Sequence, residues 1–254
     1  MKHIKRILAV IIIGISLYIS FGPEPTVDRR ILFVGNSFTF GGDIPTQVRN
    51  IAITSKPSIR YDTEMLAYPD ATLEDHLTLA DTLDRIQEGG WDVVVLQDAS
   101  SSSFRPDRVE RMERSATILA SAATQQGSSV LYFAHWAPGN HGHDTTGAIQ
   151  TIEQTYERLA QKTTGDVARA GQVWQLADEA GLENLYSDDL HHSSYKGAFA
   201  AALAITTALR DVDVRTSLWA PDDIPQHEQD ILRAAAASLS VLSYGQSTID
   251  HEDE

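Results

Sequence analysis

Short apolar runs alternate along this chain with longer stretches in which apolar residues recur every third or fourth position. Runs of four to eight apolar residues read as buried strands, and the 3.6-residue period reads as helix packed by one face. Strands are expected at 31–34, 59–66, 93–97 and 130–135, with a weaker one at 167–170. Helices are expected near 44–53, 72–87, 106–126, 148–162, 194–209 and 225–242. Thr72 and Asp75 have the spacing of a capping box at the start of the second of these. Strands separated by helices of this length imply right-handed crossovers and a parallel sheet covered on both faces. The expectation is a three-layer α/β/α sandwich on a parallel sheet of about five strands.

No repeat or second composition regime interrupts this alternation, and 254 residues with 42% hydrophobic content suit one well-buried domain. The first residues differ in character. Lys2, Lys5 and Arg6 precede an apolar stretch from Ile7 to Phe21, closed by Gly22 and Pro23. A basic start and an apolar core of this length read as a secretory signal, or, since no small-x-small cleavage site follows, as an uncleaved N-terminal membrane anchor. The expected organisation is a leader over 1–22, a linker over 23–29, the α/β domain over 30–245 and an acidic tail over 246–254. The protein is expected to be exported: periplasmic, extracellular or held at a membrane through its N-terminal segment alone.

Charge narrows the partners. A formal net charge of −15 repels nucleic acid phosphates and anionic membrane surfaces, and modestly disfavours polyanionic substrates. The absence of cysteine removes disulfides, thiol catalysis and thiolate metal sites together.

The candidate chemistry lies at two places far apart in sequence. Gly35-Asn36-Ser37 directly follows the first apolar run, so Ser37 is presented at the carboxyl edge of a sheet, where open α/β proteins hold their sites. A serine hydroxyl becomes a nucleophile when a histidine takes its proton and a carboxylate fixes that imidazole's tautomer. Asp188-Asp189-Leu190-His191-His192 supplies both groups, in two equal registers, Asp188 with His191 and Asp189 with His192.

These segments, with Gly197 downstream, resemble the SGNH (GDSL-type) hydrolase superfamily. Ala71 to His76 after the second strand, Val93 to Gln97 and Leu185 to Asp189 fall in the same order as that family's blocks, so the resemblance runs from Ile31 to about Leu203. It implies a flavodoxin-like sandwich and a serine esterase working through an acyl-enzyme, without metal or cofactor. Ser37 would be nucleophile, His192 base and Asp189 its orienting carboxylate; Gly197 favours this register because the family pattern places a glycine about five residues after the histidine. The oxyanion would be held by the backbone N–H of Ser37, by a backbone N–H after the second strand and by a side-chain amide after the third. The chain departs from the pattern twice, with Asp70 where a glycine is usual and Gln97 where an asparagine is usual.

Further residues stand near this edge. Asn36 is expected to stabilise the turn, and it joins His135, Trp136 and His191 as candidates for touching substrate. His135, His141, His143 and Asp144 are residue types that bind zinc, but the glycine-rich 138–143 reads as a loop beside the site and no metal is expected. His76 reads as a packing or surface histidine, and Ser100 to Ser103 as a loop. The expected substrate is a small-molecule or carbohydrate ester with a small acyl group such as acetyl. The alternatives are a non-catalytic carbohydrate-binding module on the same fold and an O-acyltransferase.

Overall fold

The computed structural model of the protein describes residues 27–79, 81–139 and 145–247. The expected leader, most of the linker, His141, His143, Asp144 and nearly all of the acidic tail lie outside the described residues.

Five strands, β1 (Arg29–Gly35), β2 (Tyr61–Ala67), β3 (Val93–Leu96), β4 (Ser129–Ala134) and β5 (Asp166–Arg169), form one parallel sheet in the order β2-β1-β3-β4-β5. This is the flavodoxin-like order, whose crevice opens where the connections change direction, at the carboxyl ends of β1 and β3. In chain order the helices are α1 (Ser37–Phe40), α2 (Ile44–Thr54), α3 (Thr82–Gln87), α4 (Pro106–Gln125), α5 (Thr145–Thr163), α6 (Ala170–Glu179), α7 (Tyr195–Leu209) and α8 (Gln226–Ser247).

Both faces of the sheet are covered, which is why its central strands read as unbroken apolar runs. Ile31, Phe33, Val93, Val95, Leu131 and Phe133 enter the core shared with α2, α6, α7 and α8. Leu32, Val34, Val94, Leu96, Val130 and Tyr132 enter the core shared with α3, α4 and α5. Among the described residues no helix is long and apolar enough to cross a membrane.

Two expectations about elements are corrected. The stretch 72–87 is not one helix: a 3-10 turn at Asp75–Leu77 is followed by α3, with Asp81 between them at φ 83°. The capping box does form, Asp75 accepting from the Thr72 backbone and hydroxyl while its own N–H donates to the hydroxyl. The chain then turns so that buried His76 bridges the Gly35 carbonyl at 2.8 Å and the Thr82 hydroxyl at 2.9 Å. A tertiary contact has overridden the local period. The second correction is α6, unanticipated between the fifth strand and the histidine segment.

Candidate active site

Ser37 is placed by the crowded end of β1. A Cβ at Gly35 would lie 2.4 Å from Thr39 Oγ1 and 2.6 Å from Gln97 Oε1, so only glycine fits there. Asn36 then caps α1: its Oδ1 accepts the Phe38 N–H at 3.0 Å, its Nδ2 donates to the Ala71 carbonyl at 2.9 Å, and its backbone N–H donates to Gln97 Oε1 at 3.1 Å. With the turn fixed on three sides, Ser37 opens the helix with its hydroxyl at the edge of the sheet.

The partner segment arrives from the far end of the chain. Of the two equal spacings, Asp189 and His192 are the pair beside Ser37. His192 Nε2 is 2.9 Å from Ser37 Oγ, and His192 Nδ1 is 2.6 Å from Asp189 Oδ2. A carboxylate at Nδ1 requires the proton there, leaving Nε2 as the acceptor for the serine hydroxyl. The other Asp189 oxygen accepts the N–H groups of His191 and His192, each at 2.9 Å, and the Ser187 hydroxyl at 2.7 Å. The imidazole foremost, and then these donors, hold its carboxyl well below the usual carboxylate range. The pair is open to water, with 49% of the Asp189 side chain and 40% of the His192 side chain exposed.

An aromatic column beneath the site aligns the two segments. Phe38 stacks on Trp136 at 4.4 Å, Trp136 on Trp174 at 4.6 Å, and Tyr186 meets Trp174 edge-on at 4.8 Å. Each polar end of the column ties a loop. Trp136 Nε1 donates to the His191 carbonyl, Tyr186 donates its hydroxyl to the Ala137 carbonyl, and Trp174 Nε1 donates to the Gly197 carbonyl. Gly197 is glycine for a steric reason, because a Cβ there would sit 2.1 Å from the Leu185 carbonyl and 2.5 Å from the Trp174 ring. Ser194 caps α7 by accepting the Gly197 N–H, which fixes the turn that carries His192.

This column corrects the expectation that His135 and Trp136 touch substrate. Both are fully buried, and the cleft does not reach them. Burial holds the His135 imidazole down to about 4, so it is neutral, with Nδ1 donating to the Trp136 carbonyl. His191 does line the cleft, its Nε2 3.5 Å from Ser100 Oγ and its ring against Phe38. Asn36 is a buried turn amide that also reaches the cleft wall.

The anion-binding groups are fewer than the sequence suggests. Gln97 is buried with both ends of its amide occupied: Oε1 accepts from Asn36 N–H and the Thr39 hydroxyl, and Nε2 donates to the Asp98 carbonyl. Its amide buttresses the Ser37 turn, and the side chain is fully buried and outside the cleft lining, which keeps its remaining Nε2 hydrogen from an oxyanion formed there. Asp70 adopts φ 58°, the left-handed conformation that glycine takes most easily and aspartate tolerates. Among the hydrogen bonds of the described residues none is donated by the Ser37 or Asp70 backbone N–H, leaving both donors open on residues that line the same cleft.

A cleft of about 500 Å³ runs from Ser37 past Asp70, Thr72 and Asp98 to Ser101 and Arg108. Asp98 forms its floor, accepting the N–H groups of Leu73 and Ala99, with the Ser102 hydroxyl a further donor. Burial pushes this carboxyl up to about 6 despite those donors. Ser187, Asp98 and Arg108 are site residues that the motifs do not reveal; only proximity in sequence to Asp189 and Gln97 marks the first two. Among the described residues no cluster of three or more His, Asp or Glu side chains is arranged to hold a metal ion.

No family model matches the sequence, and no curated protein matches it. Solved structures match it by fold. A protein of the DUF4886 family from Bacteroides uniformis superposes with a TM-score of 0.72 at 16% identity, over 85% of this chain and 95% of that one. A protein from Slackia heliotrinireducens, described as a candidate SGNH hydrolase, superposes with a TM-score of 0.59 at 21% identity, over 71% and 98%. The fold is that of the SGNH hydrolases. An acetylxylan esterase from Geobacillus stearothermophilus shares it, with a TM-score of 0.54 at 12% identity over 73% and 94%. On this SGNH scaffold the chain keeps the glycine-like backbone after β2 while carrying a carboxylate on it, and it spends the amide after β3 inside the protein.

Proposed function

We propose that the protein is an SGNH-type serine esterase that hydrolyses small acyl esters, an acetylated carbohydrate being the model substrate. The observation that carries this reading is the unbroken Asp189–His192–Ser37 hydrogen-bond chain at the carboxyl edge of the sheet. In this mechanism Ser37 Oγ attacks the ester carbonyl as its proton passes to His192 Nε2. Asp189 stabilises the resulting imidazolium, which then protonates the departing alcohol. Water, deprotonated by the same imidazole, cleaves the acyl-enzyme and releases the acid. The N–H groups of Ser37 and Asp70 are the donors offered to the tetrahedral oxyanion, a role worth roughly 2.7–4 kcal/mol per donor in other enzymes.

Small acyl groups are favoured by the polar lining of the cleft, and the acetylxylan esterase supplies the analogy for the alcohol. The open placement of Asp189 and His192 favours hydrolysis over transfer to a sugar, since water has free access to an acyl-enzyme. The basic and apolar start of the chain supports work outside the cytoplasm. Ser37→Ala is expected to abolish both 4-nitrophenyl acetate hydrolysis and labelling by a fluorophosphonate probe, with the melting transition retained. Full turnover in that variant would refute the proposal. Failure of the native protein to take the probe would favour a non-catalytic binding module.

A further inference from the structure

Two arginines line the cleft, and they are not equivalent. Arg111 is neutralised, 3.2 Å from Asp107 and 3.8 Å from Glu74. Arg108 makes no ion pair among the described residues; its only side-chain partner there is the Ser101 hydroxyl, which accepts from one guanidinium nitrogen. A guanidinium carries five N–H donors in a planar fork, so most of its hydrogen-bonding capacity is left open on a residue that lines the same cleft as Ser37. Its position in the first turn of α4 brings no helix stabilisation, because cations are disfavoured at that end.

The acidic groups of the cleft sort in the same way. Asp75 is held by Thr72, Glu74 faces Arg111, and Asp98 is satisfied by its three donors. Asp70 alone among them makes no ion pair or side-chain hydrogen bond with the described residues. It follows β2 on one side of β1, whereas Arg108 follows β3 on the other. Two unneutralised charges of opposite sign therefore flank Ser37. An anionic group on a substrate is repelled from the Asp70 side and drawn to the Arg108 side, which fixes its orientation across the nucleophile.

We propose that Arg108 selects esters carrying one carboxylate or similarly planar anion, bound by the free edge of its guanidinium while the ester carbonyl lies at Ser37. This rests on the esterase reading of the site. A single anion suits the chain better than a polyanion, given its overall charge of −15. The anion can belong to the alcohol, as in an acetylated uronic acid, or to the acyl group, as in a dicarboxylic half-ester.

The test compares charged and neutral partners on each side: O-acetylglucuronate against O-acetylglucose, and the 4-nitrophenyl half-ester of adipate against 4-nitrophenyl heptanoate. The native protein is expected to favour the charged member of one pair. In Arg108→Gln the charged-to-neutral ratio of kcat/KM should fall by about tenfold or more, the worth of one charge-assisted hydrogen bond, with Arg108→Lys intermediate. Which pair responds identifies the source of the anion. An unchanged ratio in Arg108→Gln, or no preference in the native protein, overturns the inference. Calorimetric binding of the same two charged esters to Ser37→Ala, with and without Arg108→Gln, separates the two readings. Arg108-dependent binding without native turnover removes the esterase and keeps the anion site, whereas turnover without charge preference does the reverse.

Discussion

His191 and His192 are neighbours with the same local carboxylate spacing, yet the geometry gives them unequal work. His192 Nε2 lies within hydrogen-bond reach of Ser37 Oγ, so His192→Ala should reduce kcat by roughly three orders of magnitude or more, far beyond the loss in His191→Ala. A greater loss at 191 would reverse the assignment. Asp189 is kept ionised far into the acid range by its four donors. Asp70 offers a test of opposite sign. Asn and Gly both tolerate its φ of 58°, so either replacement keeps the N–H in place and removes a negative charge from beside the developing oxyanion. Each should raise kcat/KM for neutral esters several-fold at low salt, the gain shrinking as ionic strength screens the charge.

At the scale of elements, the joint between α7 and the aromatic column is where the fold is least forgiving. Gly197→Ala would drive a methyl into the Leu185 carbonyl and the Trp174 ring. The expected cost is about 3 kcal/mol or more, because backbone rather than a flexible side-chain tip must move; urea titration measures it. Trp136→Phe keeps the stacking but removes the N–H that holds the His191 carbonyl. It should lower kcat because the loop carrying His192 is loosened, and it should lower Tm as well because the smaller ring leaves a cavity at a fully buried position. The same joint shows what a sequence reader can and cannot see. The central strands were legible because burial on both faces leaves unbroken apolar runs such as Ile31 to Val34 and Val93 to Leu96, whereas the edge strands β2 and β5 are only partly buried and carry a weaker apolar signal. The meeting of Ser37, Asp189 and His192 was legible from a serine at a strand end, an Asp-x-x-His spacing and, for the register, the resemblance that Gly197 completes. The break within 72–87, the burial of His135 and Trp136 and the occupied amide of Gln97 were not, because each depends on a partner tens of residues away: Gly35, Phe38 and Asn36 respectively.

Over the whole molecule, the carboxyls that are buried and those that are well hydrogen-bonded should make stability depend on pH in opposite directions. Burial raises Asp98 to about 6 and Glu153 to about 7, and Glu153 Oε1 has no hydrogen-bond partner among the described residues. Unfolded, both carboxyls ionise near their ordinary values of 3.8 and 4.5. Between those values and about 7 the folded state holds more protons than the unfolded one, so stability falls as pH rises through this range and then levels off. Asp75, Asp189 and Asp213 are shifted down by the hydrogen bonds they accept, so their contribution is lost as pH falls below the ordinary carboxylate range. The two sets bracket a stability maximum on the acid side of neutrality, and the self-repulsion of a −15 chain deepens the decline above it. Glu153 is not among the residues that line the cleft, so Glu153→Gln tests the buried carboxyl by itself. It should raise Tm at pH 8 by about 3 °C, with the advantage over the native protein vanishing by pH 4. A constant advantage across that range would mean that packing, and not the buried charge, is what the substitution relieves.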